Sequence, residues 1–204
     1  MKVFCLTVSL LLLTFSSATS LLAQEGRAAY VQFWEKTERI FADPETSPLD
    51  DKDRARFDSI PRYPYNPDFR YAAQWEPTEG AKPQSVETTT EARRRMQKVG
   101  VLKFTADTTK LELPVYIDLT LARMKVADPT YFLPFTDLTN GGDTYGGGRY
   151  IDIEASALDG SETFIDFNLA YNPYCVYNPK YSCPIPPAAN HLPIRIEAGA
   201  RVER

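Results

Sequence analysis

Apolar residues along this chain change their period twice. Between Glu25 and Phe41 they recur at helical spacing, with Tyr30, Phe33, Trp34, Thr37, Ile40 and Phe41 on one stripe. Pro44 stops the pattern, so the spacing predicts a helix over Glu25–Phe41 that packs its aromatic stripe on a sheet. From Val86 onward the chain alternates apolar and polar residues or is rich in β-branched ones. Strands are predicted over Val86–Met96, Val99–Thr105, Lys110–Asp118, Tyr131–Phe135, Arg149–Ala155, Thr163–Asn168 and Pro193–Ala198, with a turn at Ala106–Thr109.

Between these regions lies Asp43–Pro83, crowded with proline, aspartate and aromatics. Pro61, Pro64 and Pro67 forbid a long helix there. Tyr63, Tyr65, Phe69, Tyr71 and Trp75 would be costly to leave exposed together. The expectation is an ordered, extended wrap, with a short helix at Asp51–Phe57. Short strands separated by turns, with no βαβ alternation, predict a mainly β fold. It would be an antiparallel sandwich or partly open barrel with an N-terminal α-helix packed on it.

The strand pattern permits one finer expectation. Leu158-Asp159-Gly160 suits a three-residue hairpin loop with glycine in the left-handed position. That register sets Ala157 against Ser161, Ile153 against Ile165 and Ile151 against Phe167, making one apolar face. Tyr150, Asp152, Asp166 and Asn168 fall on the other face, with Asp152 directly opposite Asp166. Like charges so placed repel. A cation such as Arg149 or Arg195, a metal ion, or a retained proton would have to offset them. Paired carboxylates are a usual source of general acid and base, so Asp152 and Asp166 are candidate catalytic residues. The alternatives are a solvated polar face or aspartates that cap backbone amides.

The chain ends change the picture of the cysteines. Lys2, the apolar run Val3–Phe15 and the small residues Ser16–Ala23 read as a secretory signal peptide over residues 1–23, cleaved near Ala23. The remaining residues 24–204 suffice for one domain with a real core. Export to the periplasm or beyond is expected, and no second apolar run is long enough to span a membrane. Only Cys175 and Cys183 then remain, and in an oxidising compartment they predict a disulfide closing a Pro-rich loop. So short a loop would contribute about 2–3 kcal/mol. The formal charge of −4, with Arg93-Arg94-Arg95 as one local basic cluster, argues against a nucleic-acid partner.

Most remaining chemistry sits between Leu133 and Pro187. Asn140–Arg149 is glycine-rich, but it enters the strand Arg149–Ile153 rather than a helix and lacks a P-loop lysine, which excludes nucleotide binding of that kind. Gly146-Gly147-Gly148 marks either a bulge or sharp sheet corner, or a loop whose amides face a ligand. Tyr171-Asn172-Pro173 and Tyr177-Asn178-Pro179 bracket Cys175 as turns, and Pro184–Pro187 runs extended. That loop is expected to lie at the sheet mouth as the wall or lid of a pocket. His191 is the only histidine, so a multi-histidine zinc site is excluded and no metal or cofactor is expected. A small-molecule pocket under the two loops would use Asp137, Tyr145, Gly147, Arg149, Tyr150, Asn168, Tyr171 and Asn172.

The segments FLPFTDLTNGGDTYGGGRYIDI, IDFNLAYNPYCVYNPKYSCPIPP and NHLPIRIEAGAR, with SPL at Ser47, resemble the family called domain of unknown function 1684. The resemblance covers most of the chain after the N-terminal segment and implies that both cysteines belong to the shared pattern. It implies no particular activity. The expected function is binding of a small ligand in a polar pocket. The alternatives are a hydrolase-like enzyme using the aspartate pair, and a structural or interaction module of the cell envelope.

Overall fold

The longest alternating stretch forms the spine of the fold. In the computed structural model, which describes residues 4–120, 130–158, 160 and 163–202, Arg70–Pro77 is β1, Gln84–Glu87 is β2 and Arg93–Ala106 is β3. Thr109–Asp118, Thr130–Phe135, Arg149–Glu154 and Thr163–Asp166 are β4 to β7. The turn between β3 and β4 holds Asp107 at φ 52, a left-handed position that a short polar side chain tolerates. All pairings are antiparallel, in the order β6-β5-β4-β3-β1-β7, with β2 beside the first residues of β3. The sheet curls into a half-barrel. Fold class therefore follows the expectation of a partly open antiparallel structure with a helix packed on it.

Several finer expectations are corrected. The strand expected over Val86–Met96 is two strands, because the chain bends at 88–92, where the Thr88 hydroxyl donates to Ala92 O at 2.6 Å. β1 arises inside the segment expected to be only an extended wrap. Tyr71, Ala73 and Trp75 alternate there and pack against the core. Pro193–Ala198 is not a strand.

The hairpin between Arg149–Ala155 and Thr163–Asn168 is not formed either. Ala155–Leu158 winds into a 3-10 turn, after which β7 pairs with β1 at the far end of the sheet. β6 pairs instead with β5, and its other edge meets Tyr171 through two backbone bonds with Tyr150, of 3.0 and 2.9 Å. Asp159 and Ser161 of the expected turn lie outside the described residues. Charge explains the choice. Opposite Asp166 stands Arg70, with the guanidinium 3.9 Å from the carboxylate, and Phe132 stands opposite Asp152. The like-charge repulsion of the expected register never arises.

One face of the sheet carries the main core. Leu102, Phe104, Leu113, Val115, Leu133, Phe135, Ile151 and Ile165 meet there with Phe167, Leu192 and Ile196. The long helix α1, Phe4–Ala42, continues the expected aromatic stripe and joins a second cluster of Trp34, Phe41, Leu49, Ile60 and Ala200. Burying side chains such as Trp34 and Phe41 stabilises by about 1.5–3 kcal/mol each. Polar bonds fix the docking angle: Trp34 Nε1 donates to Asn168 O at 3.1 Å, and Tyr30 Oη donates to Tyr63 O at 2.8 Å. The Glu38 carboxylate takes the Arg62 guanidinium and, at 3.2 Å, the Ile60 amide. Among the described residues no helix is long and apolar enough to cross a membrane. Lys2 of the expected leader lies outside them.

The largest polar group in the interior is Arg149, whose residue is 0 % exposed. Its guanidinium donates to Asp137 Oδ2 at 2.8 Å, to Ile196 O at 2.8 Å, to Ala200 O at 3.3 Å and to Ala198 O. Burial pushes its pKa down, and the Asp137 carboxylate opposes that shift. Asp137 Oδ1 accepts from the Thr139 amide and hydroxyl and from the Ile196 amide. The C-terminal segment, which forms no strand of the main sheet, thus docks on a charge. Breaking a buried pair on one side leaves an uncompensated ion. Arg149→Met is therefore expected to cost about 3–5 kcal/mol in urea unfolding. A loss below about 1 kcal/mol would show that the pair does not anchor this segment.

Candidate functional site

On the opposite face of the sheet from the main core, the cover is incomplete. β6 alternates, so Ile151 and Ile153 point into the core while Tyr150 and Asp152 point the other way. The C-terminal half of α1 lies on one side of that second face and the Asn-Pro loop on the other. Between them is a cavity of about 820 Å³, within the size range of small-molecule sites. Its walls are Phe33, Thr37, Ile40 and Phe41 of α1, Ile117 of β4, Phe132 of β5, Tyr150 of β6 and Tyr171, Tyr174, Tyr177 and Tyr181 of the loop.

The rings interlock. Phe132 and Tyr150 centroids are 4.6 Å apart, Tyr150 and Tyr171 5.8 Å, and Phe33 and Tyr171 6.4 Å. At the other end Phe41 meets Tyr177 at 4.8 Å, and Tyr174 meets Tyr181 at 5.3 Å. The Tyr150 hydroxyl donates to Pro184 O, which pins the ring to the extended Pro-rich segment. Burial raises the pKa values of Tyr150, Tyr171 and Tyr177, the last to about 12, so these hydroxyls stay neutral.

Charge is sparse in this apolar setting. Asp152 accepts from the Tyr171 hydroxyl at 2.9 Å. Its carboxyl is exposed to the cavity, and the apolar walls around it push its pKa up to about 6 against the pull of the Tyr171 hydrogen bond. Asp118 at the rim faces Arg94 at 3.7 Å, and Lys36 stands exposed on α1. Asn172 lines the same wall at 3 % exposure. Its amide donates to Arg201 O at 3.0 Å, while its Oδ1 is buried without a donor among the described residues.

Of the residues expected to form a ligand site, Tyr150, Tyr171 and Asn172 line the cavity. The other five do not. Asp137 and Arg149 are the buried ion pair of the interior. Asn168, also fully buried, bonds Asn66 from both ends of its amide, at 2.9 Å each, and so ties the segment before β1 to the sheet. Tyr145 covers Gly147, where an added Cβ would sit 2.5 Å from the Tyr145 ring. The glycine loop is a self-contained corner. The amides of Asn140, Gly141, Gly142, Thr144 and Gly148 all bond within residues 137–145. Gly148 has φ +91, and a Cβ there would meet Phe135 O at 2.6 Å. Close backbone approach, rather than ligand binding, thus accounts for that glycine.

The aspartate pair is not assembled. Asp152 and Asp166 occupy opposite ends of the strand order. Asp166 caps the turn that follows, accepting from the Asn168 amide at 3.0 Å and from its side chain at 2.8 Å. The expected disulfide is not formed either. Cys175 and Cys183 are free, and the Cys183 sulfur accepts from the Cys175 amide at 3.2 Å, which closes the loop in place of a bridge. Burial pushes the Cys183 thiol up to about 12. His191 lies exposed, with Nδ1 3.0 Å from the Thr136 hydroxyl. No cluster of three or more metal-ligating side chains occurs among the described residues.

Sequence reasoning missed the α1 wall and the rim. Phe33, Ile40 and Phe41 were legible as a stripe, but the stripe's excess width over what the sheet covers was the available signal.

Comparison with known proteins supports the fold and leaves the chemistry open. Residues 55–201 match the profile of a family described as protein of unknown function (DUF1684). The solution NMR structure of an uncharacterized protein from Haloarcula marismortui is similar at a TM-score of 0.65 and 31 % identity, covering 93 % of this chain and 96 % of that one. No curated protein matches the chain.

The raised pKa of Asp152 has a signed consequence. Between about 4 and about 6 the folded protein holds this proton more tightly than the unfolded chain does. The stabilising contribution is complete below about 4 and lost as pH rises through about 6. Asp152→Asn should therefore gain on the wild type in urea midpoint from pH 4 to 7 and level off above. Tyr171→Phe should move the Asp152 carboxyl titration, read by carbon-13 NMR, to higher pH. A downward move would contradict the role of the Tyr171 hydroxyl.

Proposed function

We propose that this chain, which belongs to the DUF1684 family, binds a small, largely apolar molecule in the cavity between α1 and the second face of the sheet. One observation carries the reading. The cavity of about 820 Å³ is walled by rings whose hydroxyls are fixed by hydrogen bonds to Asp152 and Pro184. Pre-formed apolar concavities with a few placed polar groups are how proteins take small ligands, because the ordering cost is met on folding. Tyr171 joins the wall to the sheet through its backbone bridge with Tyr150, so the loop cannot swing out without breaking two sheet-type bonds. Asp152 and Tyr171 supply the polar end and α1 the apolar one.

Titration with the neutral fluorophore N-phenyl-1-naphthylamine is expected to give saturable, one-site enhancement. Ile40→Trp, which fills the cavity from the helix side, should weaken that binding by about tenfold or more, equivalent to about 1.4 kcal/mol, with little change in melting temperature. Unsaturable binding, or an Ile40→Trp protein that binds as well as the wild type, would sink the reading.

We also infer export, on the pattern of Lys2, the apolar Val3–Phe15 and the small Ser16–Ala23. Produced in a bacterial host with its own N-terminus, the protein should be recovered from the periplasm with an intact mass beginning near Gln24. A full-length mass in the cytosolic fraction would contradict it.

A further inference from the structure

We propose that the cleft selects an apolar amine, held as its ammonium cation between the Asp152 carboxylate and the aromatic wall. This rests on the cleft being a binding site and names the class of ligand. Three observations point to it.

First, Asp152 is an acid group with a single neutral partner. The Tyr171 hydroxyl reaches one of its oxygens, and no lysine or arginine nitrogen among the described residues stands within 4.0 Å of the carboxylate. Two cations line the cleft without pairing to Asp152: Arg94 faces Asp118 at 3.7 Å, and Lys36 stands exposed on α1. At neutral pH a carboxyl titrating at about 6 is mostly ionised, and an ionised carboxylate in apolar surroundings is stabilised by an opposite charge at hydrogen-bonding distance.

Second, donors on this wall are already engaged. The Tyr171 hydroxyl donates to Asp152, the Tyr150 hydroxyl to Pro184 O, and the Asn172 amide to Arg201 O and Tyr177 Oη. The remaining acceptor positions of the Asp152 carboxylate call for N–H donors, which an ammonium carries and a carboxylate or ether ligand does not.

Third, the walls that flank Asp152 are the faces and edges of Phe132, Tyr150, Tyr171 and Tyr174. Aromatic faces attract cations by about 0.5–2 kcal/mol, most where water is excluded. They offer nothing comparable to an anion. Phe33, Ile40 and Phe41 then leave an apolar berth for the rest of the molecule.

Isothermal titration calorimetry at pH 7.5 with 4-phenylbutylamine, 4-phenylbutanol and 4-phenylbutyrate tests this without requiring any variant to fold. The amine is expected to bind about tenfold or more tightly than the alcohol, and the carboxylate more weakly than both. In Asp152→Asn the amine should fall to the affinity that the same variant shows for the alcohol. Equal affinities, or a preference for the carboxylate, would overturn the ligand class while leaving the cavity's binding role intact. An amine preference that survives in Asp152→Asn would overturn the assignment to Asp152. Failure of all three ligands and of the neutral fluorophore would remove both readings together.

Discussion

The structure depends on one buried guanidinium. Residues 193–200 form no strand of the sheet, yet Ile196, Ala198 and Ala200 are buried, and buried carbonyls need donors. Arg149 supplies these donors to Ile196, Ala198 and Ala200, and Asp137 balances the charge. What hangs on this reaches well beyond the segment. Gly199 O accepts the Tyr63 amide at 2.9 Å, which fastens the aromatic wrap, and the Ala200 amide donates to Ala170 O at 2.7 Å, which fastens the chain just before Tyr171. The residue after Arg149 in β6 is Tyr150, and two further on is Asp152. The same strand thus plants a charge in one face of the sheet and the polar end of the cleft in the other.

This explains which parts of the molecule could be read from the chain. Periods are local, so the α1 stripe and the alternation of β6 are legible, down to the assignment of Ile151 and Ile153 to one face and Tyr150 and Asp152 to the other. Pairing is non-local. Nothing near residue 160 reports that β7 will join β1, whose residues lie about ninety positions earlier, and a plausible turn triplet invites the wrong partner. The like charges that the wrong register brought together were themselves a warning, answered in the fold by Arg70 opposite Asp166.

Arg149 shows the same limit from another side. Beside three glycines and at the head of a strand, an arginine reads as a ligand contact, because the carbonyls it serves lie 47 to 51 residues further on and only Asp137 lies nearby in sequence. The glycine run was open between two uses, and the contacts of Gly148 decide for close backbone approach. The cysteines failed for a different reason. Their pairing was argued from a compartment, not from geometry, and the loop they bracket is already closed by turns and by a sulfur acceptor.

Why the second face is left hollow follows from how its cover is built. The main core is closed by strands held at fixed spacing by backbone bonds and by the C-terminal segment held on Arg149. The second face is covered by a helix on one flank and a Pro-rich loop on the other, and neither is paired to the sheet along its length. Large rings fill what they can, but three of them are tethered. Trp34 is held by Asn168, Tyr150 by Pro184 and Tyr171 by Asp152. Rings so tethered cannot collapse into the gap, and an apolar void that cannot collapse keeps its unmet contacts. Asp152 adds to the same tension, because its ionisation is disfavoured where it sits and is tolerated through one hydroxyl bond. The cavity thus leaves two costs in the fold side by side, apolar walls with unmet contacts and a carboxylate with no cation within 4.0 Å among the described residues.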